Sequence, residues 1–242
     1  MRYCLISDIH SNLEALQAVL EAASKEGIDR YLCIGDVVGY AADPQAVITM
    51  VRSLEPEVLI AGNHDWGALG LLDLEYFNEY AEAAVIWTEG ILNKDERDYL
   101  KSFRLVYDGD DFTLVHGSLD EPSKFRYVLD SDDAYTTMKL MKKPLCFVGH
   151  SHVPGIFHSE KDKVVFAKAA KVKIDKRGKY VVNIGSVGQP RDGDPRASFA
   201  IYDTGTATVE IKRVAYDIKG AQEKILKAKL PEYLAIRLAG GR

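Results

Sequence analysis

Short apolar runs alternate with amphipathic stretches through the first 65 residues. Residues 2–6, Tyr31-Leu32-Cys33-Ile34 and Val58-Leu59-Ile60-Ala61 are brief and apolar throughout, the pattern of strands buried on both faces. Between the first two, Leu13, Leu16, Val19, Leu20 and Ala23 recur at helical spacing. Ser11 and Glu14 form a capping box at the start of that helix, and Gly27 ends it. Asp43 followed by Pro44 opens a second helix that runs to about Leu54. Strand–helix–strand–helix–strand with loops of a few residues predicts a parallel sheet with right-handed crossovers.

The pattern changes at residues 66–104, which read as helical from about Glu75 to Phe103. Tyr76, Phe77, Tyr80, Ala84 and Trp87 fall roughly on one side, predicting a helical insertion that lies as a lid over a site. Strands at 112–115 and 145–148 flank a helix around Ser131–Met141. The last third is mainly β, with strands at 163–167, 170–175, 179–184, 197–203 and 207–215 and a hairpin turn at Asp175-Lys176-Arg177-Gly178. A final helix spans about Ile218 to Lys229, and Gly240-Gly241-Arg242 reads as a loose end. Without repeats or a linker, one α/β domain of two packed sheets with outer helices accounts for residues 1–242.

Composition removes several classes of function. At 242 residues the chain can bury a substantial core. The net charge of -5, with no basic block, disfavours non-specific binding to nucleic acid. No stretch approaches the roughly 20 apolar residues of a membrane span. Asp8 interrupts the first apolar run, so the N-terminus does not read as a signal peptide, and a cytoplasmic location is expected. Cys4, Cys33 and Cys146 sit inside apolar runs without CxxC spacing, as buried reduced thiols do.

The chemistry lies where the strands end. Asp8-Ile9-His10, Gly35-Asp36, Gly62-Asn63-His64-Asp65, Val115-His116-Gly117 and Gly149-His150-Ser151-His152 each follow an apolar run. Together they carry five of the six histidines; His158 lies outside every motif. Ligands of open α/β sheets bind at the carboxyl ends of strands. Asp8, Asp36 and Asn63 offer oxygens and His10, His116, His150 and His152 nitrogens, a mixed set suited to divalent ions. Two ions about 3.5–4 Å apart need a shared ligand. Asp36 is the natural bridge, because Gly35 before it allows close approach. A histidine beside a ligand with a neighbouring carboxylate, as in His64-Asp65, can be held protonated and act as a general acid.

This set of five motifs, in this order, resembles the calcineurin-like metallophosphoesterase superfamily over residues 1–203. It is most similar to the small bacterial and archaeal members of the phosphodiesterase and diadenosine-tetraphosphatase-like branch. The resemblance implies a four-layer α/β/β/α sandwich with a dinuclear site at the strand ends. It implies Asp8, His10 and His152 as ligands of one metal, Asn63, His116 and His150 as ligands of the other, and Asp36 as the bridge. His64 resembles the non-ligand histidine that protonates the leaving group, with Asp65 orienting its ring. Asn12 matches the pattern Asp-x-His-x-Asn and is expected to meet a substrate oxygen. The stretch Asn183–Gly193 resembles the loop that closes the site, placing Gly185 and Ser186 beside the metals, with Arg191 clamping a phosphate. Relatives often carry a basic residue soon after the equivalent of His116-Gly117-Ser118. Here Leu119-Asp120-Glu121-Pro122 follows, and Lys124 and Arg126 come later, so no phosphate contact is expected from that loop.

The implied activity is hydrolysis of phosphate esters by a metal-bridging hydroxide. The expected cofactors are two divalent ions, manganese first, with iron, zinc, nickel or magnesium open. The expected partner is a small phosphodiester or dinucleoside polyphosphate, neither a membrane nor a nucleic acid. A phosphomonoesterase, protein serine/threonine phosphatases included, is the first alternative. A metal-bound scaffold without catalysis is the second, and retention of every ligand and of His64 argues against it.

Overall fold

The computed structural model describes residues 1–161 and 163–242, and these form two mixed six-stranded sheets packed face to face. The strands are β1 (Arg2–Ile6), β2 (Arg30–Cys33), β3 (Val58–Leu59), β4 (Val106–Asp108), β5 (Phe112–Val115), β6 (Leu145–Val148), β7 (Gly155–Glu160), β8 (Lys163–Ala167), β9 (Lys171–Lys173), β10 (Tyr180–Asn183), β11 (Ala197–Asp203) and β12 (Thr208–Val214). The helices are α1 (Leu13–Ser24), α2 (Pro44–Ser53), α3 (Asn63–Ala68), α4 (Glu79–Ile91), α5 (Lys94–Lys101), α6 (Ser131–Leu140), α7 (Ile218–Lys227) and α8 (Glu232–Gly240). One sheet is ordered β3-β2-β1-β11-β12-β9 and the other β4-β5-β6-β10-β7-β8. Within them β1, β2 and β3 run parallel, as do β5, β6 and β10, so each sheet presents three carboxyl ends together.

The two-residue period of the strands sorts side chains between layers. Tyr3, Leu5, Leu32 and Ile34 face Phe112, Leu114, Leu145 and Phe147 between the sheets. Cys4, Ile6 and Cys33 point the other way, under Leu16 and Val19 of α1 and Val47, Ile48 and Val51 of α2. On the opposite face, Cys146 and Val148 meet Ala134 and Met138 of α6. The expected α/β/β/α layering follows from this alternation. All three cysteines are buried, and burial pushes the Cys4 thiol up to about 12.

Several elements differ from the sequence expectation. The 75–103 helix is two helices, broken at Leu92 because Asn93 and Glu96 form a capping box that starts α5. Asn12, not Ser11, caps α1, its side chain accepting from the Ala15 N–H, while Ser11 takes a left-handed backbone at φ 57°. Strands β4 and β7 were not anticipated. The end of the chain is not loose: α8 buries Leu234, Ala235 and Leu238, and the Gly193 N–H donates to Gly241 O. Among the described residues no helix is long and apolar enough to cross a membrane.

Candidate metal centre

The carboxyl ends of β1, β2 and β3 meet those of β5, β6 and β10 at one edge of the sandwich, and the motif residues converge there. Asp8, His10, Asp36 and His152 bring one ligand atom each within 4.8 Å of one another, and Asp36, His116 and His150 form a second such group. Asp36 belongs to both groups. Asp8 Oδ1 lies 3.3 Å from His152 Nε2 and 3.8 Å from His116 Nε2, and Asp36 Oδ2 lies 3.2 Å from His116 Nε2.

The donor chemistry calls for cations. His10 Nδ1 donates to Val38 O at 3.1 Å and His152 Nδ1 to Gln189 O at 2.6 Å. Each ring therefore presents its Nε2 lone pair, and the two Nε2 atoms face each other at 3.0 Å. Burial first, then neighbouring charge, holds both imidazoles below their ordinary range, so no proton reconciles the lone pairs near neutral pH. Asn63 Oδ1 is buried without a hydrogen-bond partner among the described residues, and Asp36 Oδ2 and His116 Nε2 have only each other, 3.2 Å apart. Burial would keep the His116 ring neutral, but Asp36 and Asp8 outweigh it and raise His116 to about 10. The carboxylates thus select positive charge at this point. Divalent ions fit the donor set.

The backbone that aims these groups is strained. Asp8, His10, Asp36, His150 and His152 all have φ between 51° and 66°, a region that non-glycine residues seldom enter. Hydrogen bonds hold the strained turns. Asp8 N donates to Gly35 O, His10 N to Asp36 O, and both Asp8 carboxylate oxygens accept from His150 N. Ser186 Oγ donates to Asp8 O at 2.8 Å, so Ser186 supports a ligand backbone. The turns also approach so closely that Gly62 admits no side chain: a Cβ there would lie 2.0 Å from Asp36 Oδ1.

Two expected roles change. Asp65 does not orient the His64 ring. Its carboxylate accepts from the backbone N–H groups of Asp36, Val37, Val38 and Gly62 at 2.9, 2.9, 3.2 and 3.0 Å, fixing the turn that carries Asp36. His64 Nδ1 has no partner among the described residues, and burial lowers the ring to about 4 despite Asp36 nearby, so it is not held protonated in the metal-free chain. The ring packs instead against Tyr40, His10 and the edge of Phe77. Asn12 is also engaged structurally: besides capping α1, its buried amide donates to Gly188 O at 2.8 Å.

Other side chains complete the site. Arg191 donates to Gln189 Oε1 at 2.8 Å and to the Tyr40 hydroxyl at 3.1 Å, with its guanidinium at the cage mouth. Tyr127 stacks on His150, ring centroids 3.9 Å apart and planes 14° off parallel. Neither Tyr40 nor Tyr127 carried a sequence signal beyond its residue type. Of the insertion's aromatics, Tyr76 and Phe77 reach the site, whereas Trp66 packs on Phe125, Tyr80 on Tyr233, and Trp87 joins an apolar cluster with α7 and α8. The cage opens into a space of about 40 Å³ lined by Asp36, His152, His64, Tyr40, Phe77 and Arg191. A recess beside it, of about 210 Å³, is lined by Leu72, Phe125, Lys124 and Arg126. Asn63, Tyr76, Tyr127 and His150 border both. The loop after His116 therefore does bring cations to the site, because the turn at Glu121–Phe125 folds back.

Residues 1–207 match the calcineurin-like phosphoesterase superfamily domain. An uncharacterized protein of Methanocaldococcus jannaschii is 41% identical over 244 residues, covering 98% of this chain and 97% of its own length. The crystal structure of a metallophosphoesterase from Sphaerobacter thermophilus is similar with a TM-score of 0.88 and 38% identity, over 100% of both chains. A hypothetical protein from Pyrococcus horikoshii shares the fold, with a TM-score of 0.81, 23% identity, and coverage of 100% of this chain and 98% of its own.

Proposed function

The chain belongs to the calcineurin-like phosphoesterase superfamily, and on that premise we propose that it hydrolyses phosphodiesters or dinucleoside polyphosphates at a dinuclear metal centre. The observation that carries the reading is the convergence of two ligand groups that share Asp36, with the His10 and His152 Nε2 lone pairs face to face at 3.0 Å and Asn63 Oδ1 unpartnered among the described residues. Asp8, His10, Asp36 and His152 would hold one ion, and Asp36, Asn63, His116 and His150 the other. Such ions supply Lewis acidity, neutralising charge on a phosphoryl group and acidifying water. Manganese is the ion to supply first.

The protein's own groups do the rest. Arg191, steadied by Tyr40 and Gln189, directs a fixed guanidinium at a phosphoryl oxygen. His64 delivers the proton to the departing alkoxide. The ring is neutral when the site is free, and an anionic phosphate bound beside it raises its proton affinity. Phe77 and Tyr40 keep bulk water from the ring. Asp65 is a positioning residue, acting through the Asp36 turn. The recess of about 210 Å³ that opens beside Asn63 and His150 supports a diester, whose phosphorus carries a second substituent.

The test is manganese-supplemented hydrolysis of bis(4-nitrophenyl) phosphate beside 4-nitrophenyl phosphate, with His64→Ala as control. Diester cleavage that falls by about 10²–10⁴ in the variant is expected. Dominant monoester cleavage would replace the diester reading with a phosphatase. Equal rates in wild type and variant would remove His64 from its role.

A further inference from the structure

Two guanidiniums share one aromatic ring beside the cage. Arg191 Cζ lies 5.5 Å from the centre of the Tyr40 ring and Arg237 Cζ 6.0 Å from it, and Tyr40 in turn packs on His10 and His64. Arg237 comes from α8, beyond residues 1–207 that match the family domain, so the family assigns it no role. Eight of the twelve arginines have a side-chain carboxylate within 4.0 Å, whereas Arg191 and Arg237 have none among the described residues. Arg237 Nε donates to Arg242 O at 2.5 Å, and its guanidinium also packs on Tyr233, 5.2 Å from the ring centre. These contacts fix the group, while Nη1 and Nη2 make no hydrogen bond among the described residues. Burial and then the Arg191 charge lower the proton affinity of Arg237, as two cations held close without a counter-charge require. An arriving anion relieves that repulsion.

We propose that Arg237 is a specificity-determining residue, which together with Arg191 makes the site favour substrates that carry negative charge beyond the phosphate being cleaved. The inference rests on the phosphoesterase reading and deepens it. Of the two substrate classes proposed above, it favours the dinucleoside polyphosphate over a simple diester. Tyr40 lines the space into which the cage opens, and Arg237 packs on its ring, so the Arg237 charge acts on a ligand there through its field. At about 10 Å in water one unit charge changes the affinity of another by about twofold. The contribution therefore grows with substrate charge, from about twofold for one negative charge to about tenfold or more for four. A residue that only packed α8 against Tyr40 would weaken all substrates by the same factor.

The experiment compares manganese-loaded wild type with Arg237→Met and Arg237→Lys at low salt. Methionine keeps an unbranched side chain against Tyr40 and Tyr233 without the charge, and lysine keeps the charge. The substrate is bis(4-nitrophenyl) phosphate, with one negative charge. Diadenosine tetraphosphate, with four, is the competing ligand, and its inhibition constant is measured whether or not it is cleaved. Arg237→Met is expected to raise KM for the diester by about twofold and the inhibition constant by about tenfold or more. Arg237→Lys should recover most of both, and the larger effect should close in about 1 M salt, where the Debye length is about 3 Å. Equal factors for the two ligands overturn the proposal, as does a lysine variant as weak as the methionine variant, or a wild type that diadenosine tetraphosphate does not inhibit. Failure of wild type to cleave bis(4-nitrophenyl) phosphate counts instead against the phosphoesterase reading. Calorimetric titration of diadenosine tetraphosphate into the same three proteins then still reads the Arg237 charge, and equal affinities there overturn its role.

Discussion

Replacing Asp65 separates the two roles its position allows. Its carboxylate accepts four backbone N–H groups at 2.9–3.2 Å, in full burial, and touches no atom of the His64 ring by hydrogen bond. Burial and then Asp36 push the Asp65 carboxyl up to about 7, so near neutral pH it is only partly charged; its hydrogen bonds contribute about 0.5–3 kcal/mol each, and an orphaned buried N–H costs about 1–3 kcal/mol. Asp65→Ala orphans all four, and partial relaxation leaves an expected cost of about 4 kcal/mol or more. Asp65→Asn keeps one accepting oxygen but turns an amide NH₂ toward two N–H donors, for an expected cost of about 2–4 kcal/mol. Against a typical total of about 5–15 kcal/mol, either loss is large. Because the donors belong to the Asp36 turn and to Gly62, metal affinity should fall along with stability. Urea denaturation of chelator-treated protein followed by circular dichroism measures the first, and calorimetric titration with manganese the second. If Asp65→Asn keeps the wild-type urea midpoint and metal affinity while kcat alone collapses, Asp65 acts on His64 and the backbone argument is wrong.

Three further outcomes follow from the same geometry. Manganese added to chelated protein should raise Tm by about 5–10 °C at a hundredfold excess over Kd, since linkage there is about 2.7 kcal/mol. A Tm indifferent to manganese, zinc and iron alike in differential scanning fluorimetry would count against the cage. Gly62→Ala places a Cβ 2.0 Å from Asp36 Oδ1 and 2.4 Å from Asp36 N, so backbone must move. The expected result is a loss of about 1–3 kcal/mol with metal content below two ions per chain by elemental analysis. Asp194, hydrogen-bonded by Arg196, has its carboxyl lowered to about 2. Its contribution is therefore complete above the ordinary value of about 4 and is lost as pH falls from there toward 2. Because the pair is partly exposed, Asp194→Asn should cost less than about 1 kcal/mol at neutral pH, and urea midpoints of wild type and variant should converge in acid.

The cage was legible in the sequence because ligand-type residues stood directly after buried strands, and strand direction alone delivers such residues to one edge. What surrounds the cage was not. Tyr127 reaches His150 only because Glu121 and Phe125 take left-handed conformations that fold the loop back, and neither residue type announces that. The same fold-back brings Lys124 and Arg126 to the site, against expectation from their distance along the chain. Ser11 and Glu14 have capping-box spacing, yet the strained turn through His10 and Ser11 moves the cap by one residue to Asn12. Asp65 follows His64 in sequence, but the helical backbone of α3 turns its carboxylate back to the Asp36 turn. The break between α4 and α5 did have a signal, the Asn93…Glu96 spacing, overridden in the reading by the continuous helical pattern on either side. Helix α8 was hidden by Gly240 and Gly241, although Leu234 and Leu238 stand one turn apart.

The sheet order places β11 directly against β1, with Leu5 opposite Ala200. On a ribosome adding about 5–20 residues per second, roughly 10–40 s separate the emergence of these partners. Throughout that interval β1 presents a strand edge that lacks its neighbour and is open to pairing with other chains. Shielding of that edge during synthesis is thereby a requirement for soluble yield in any expression host.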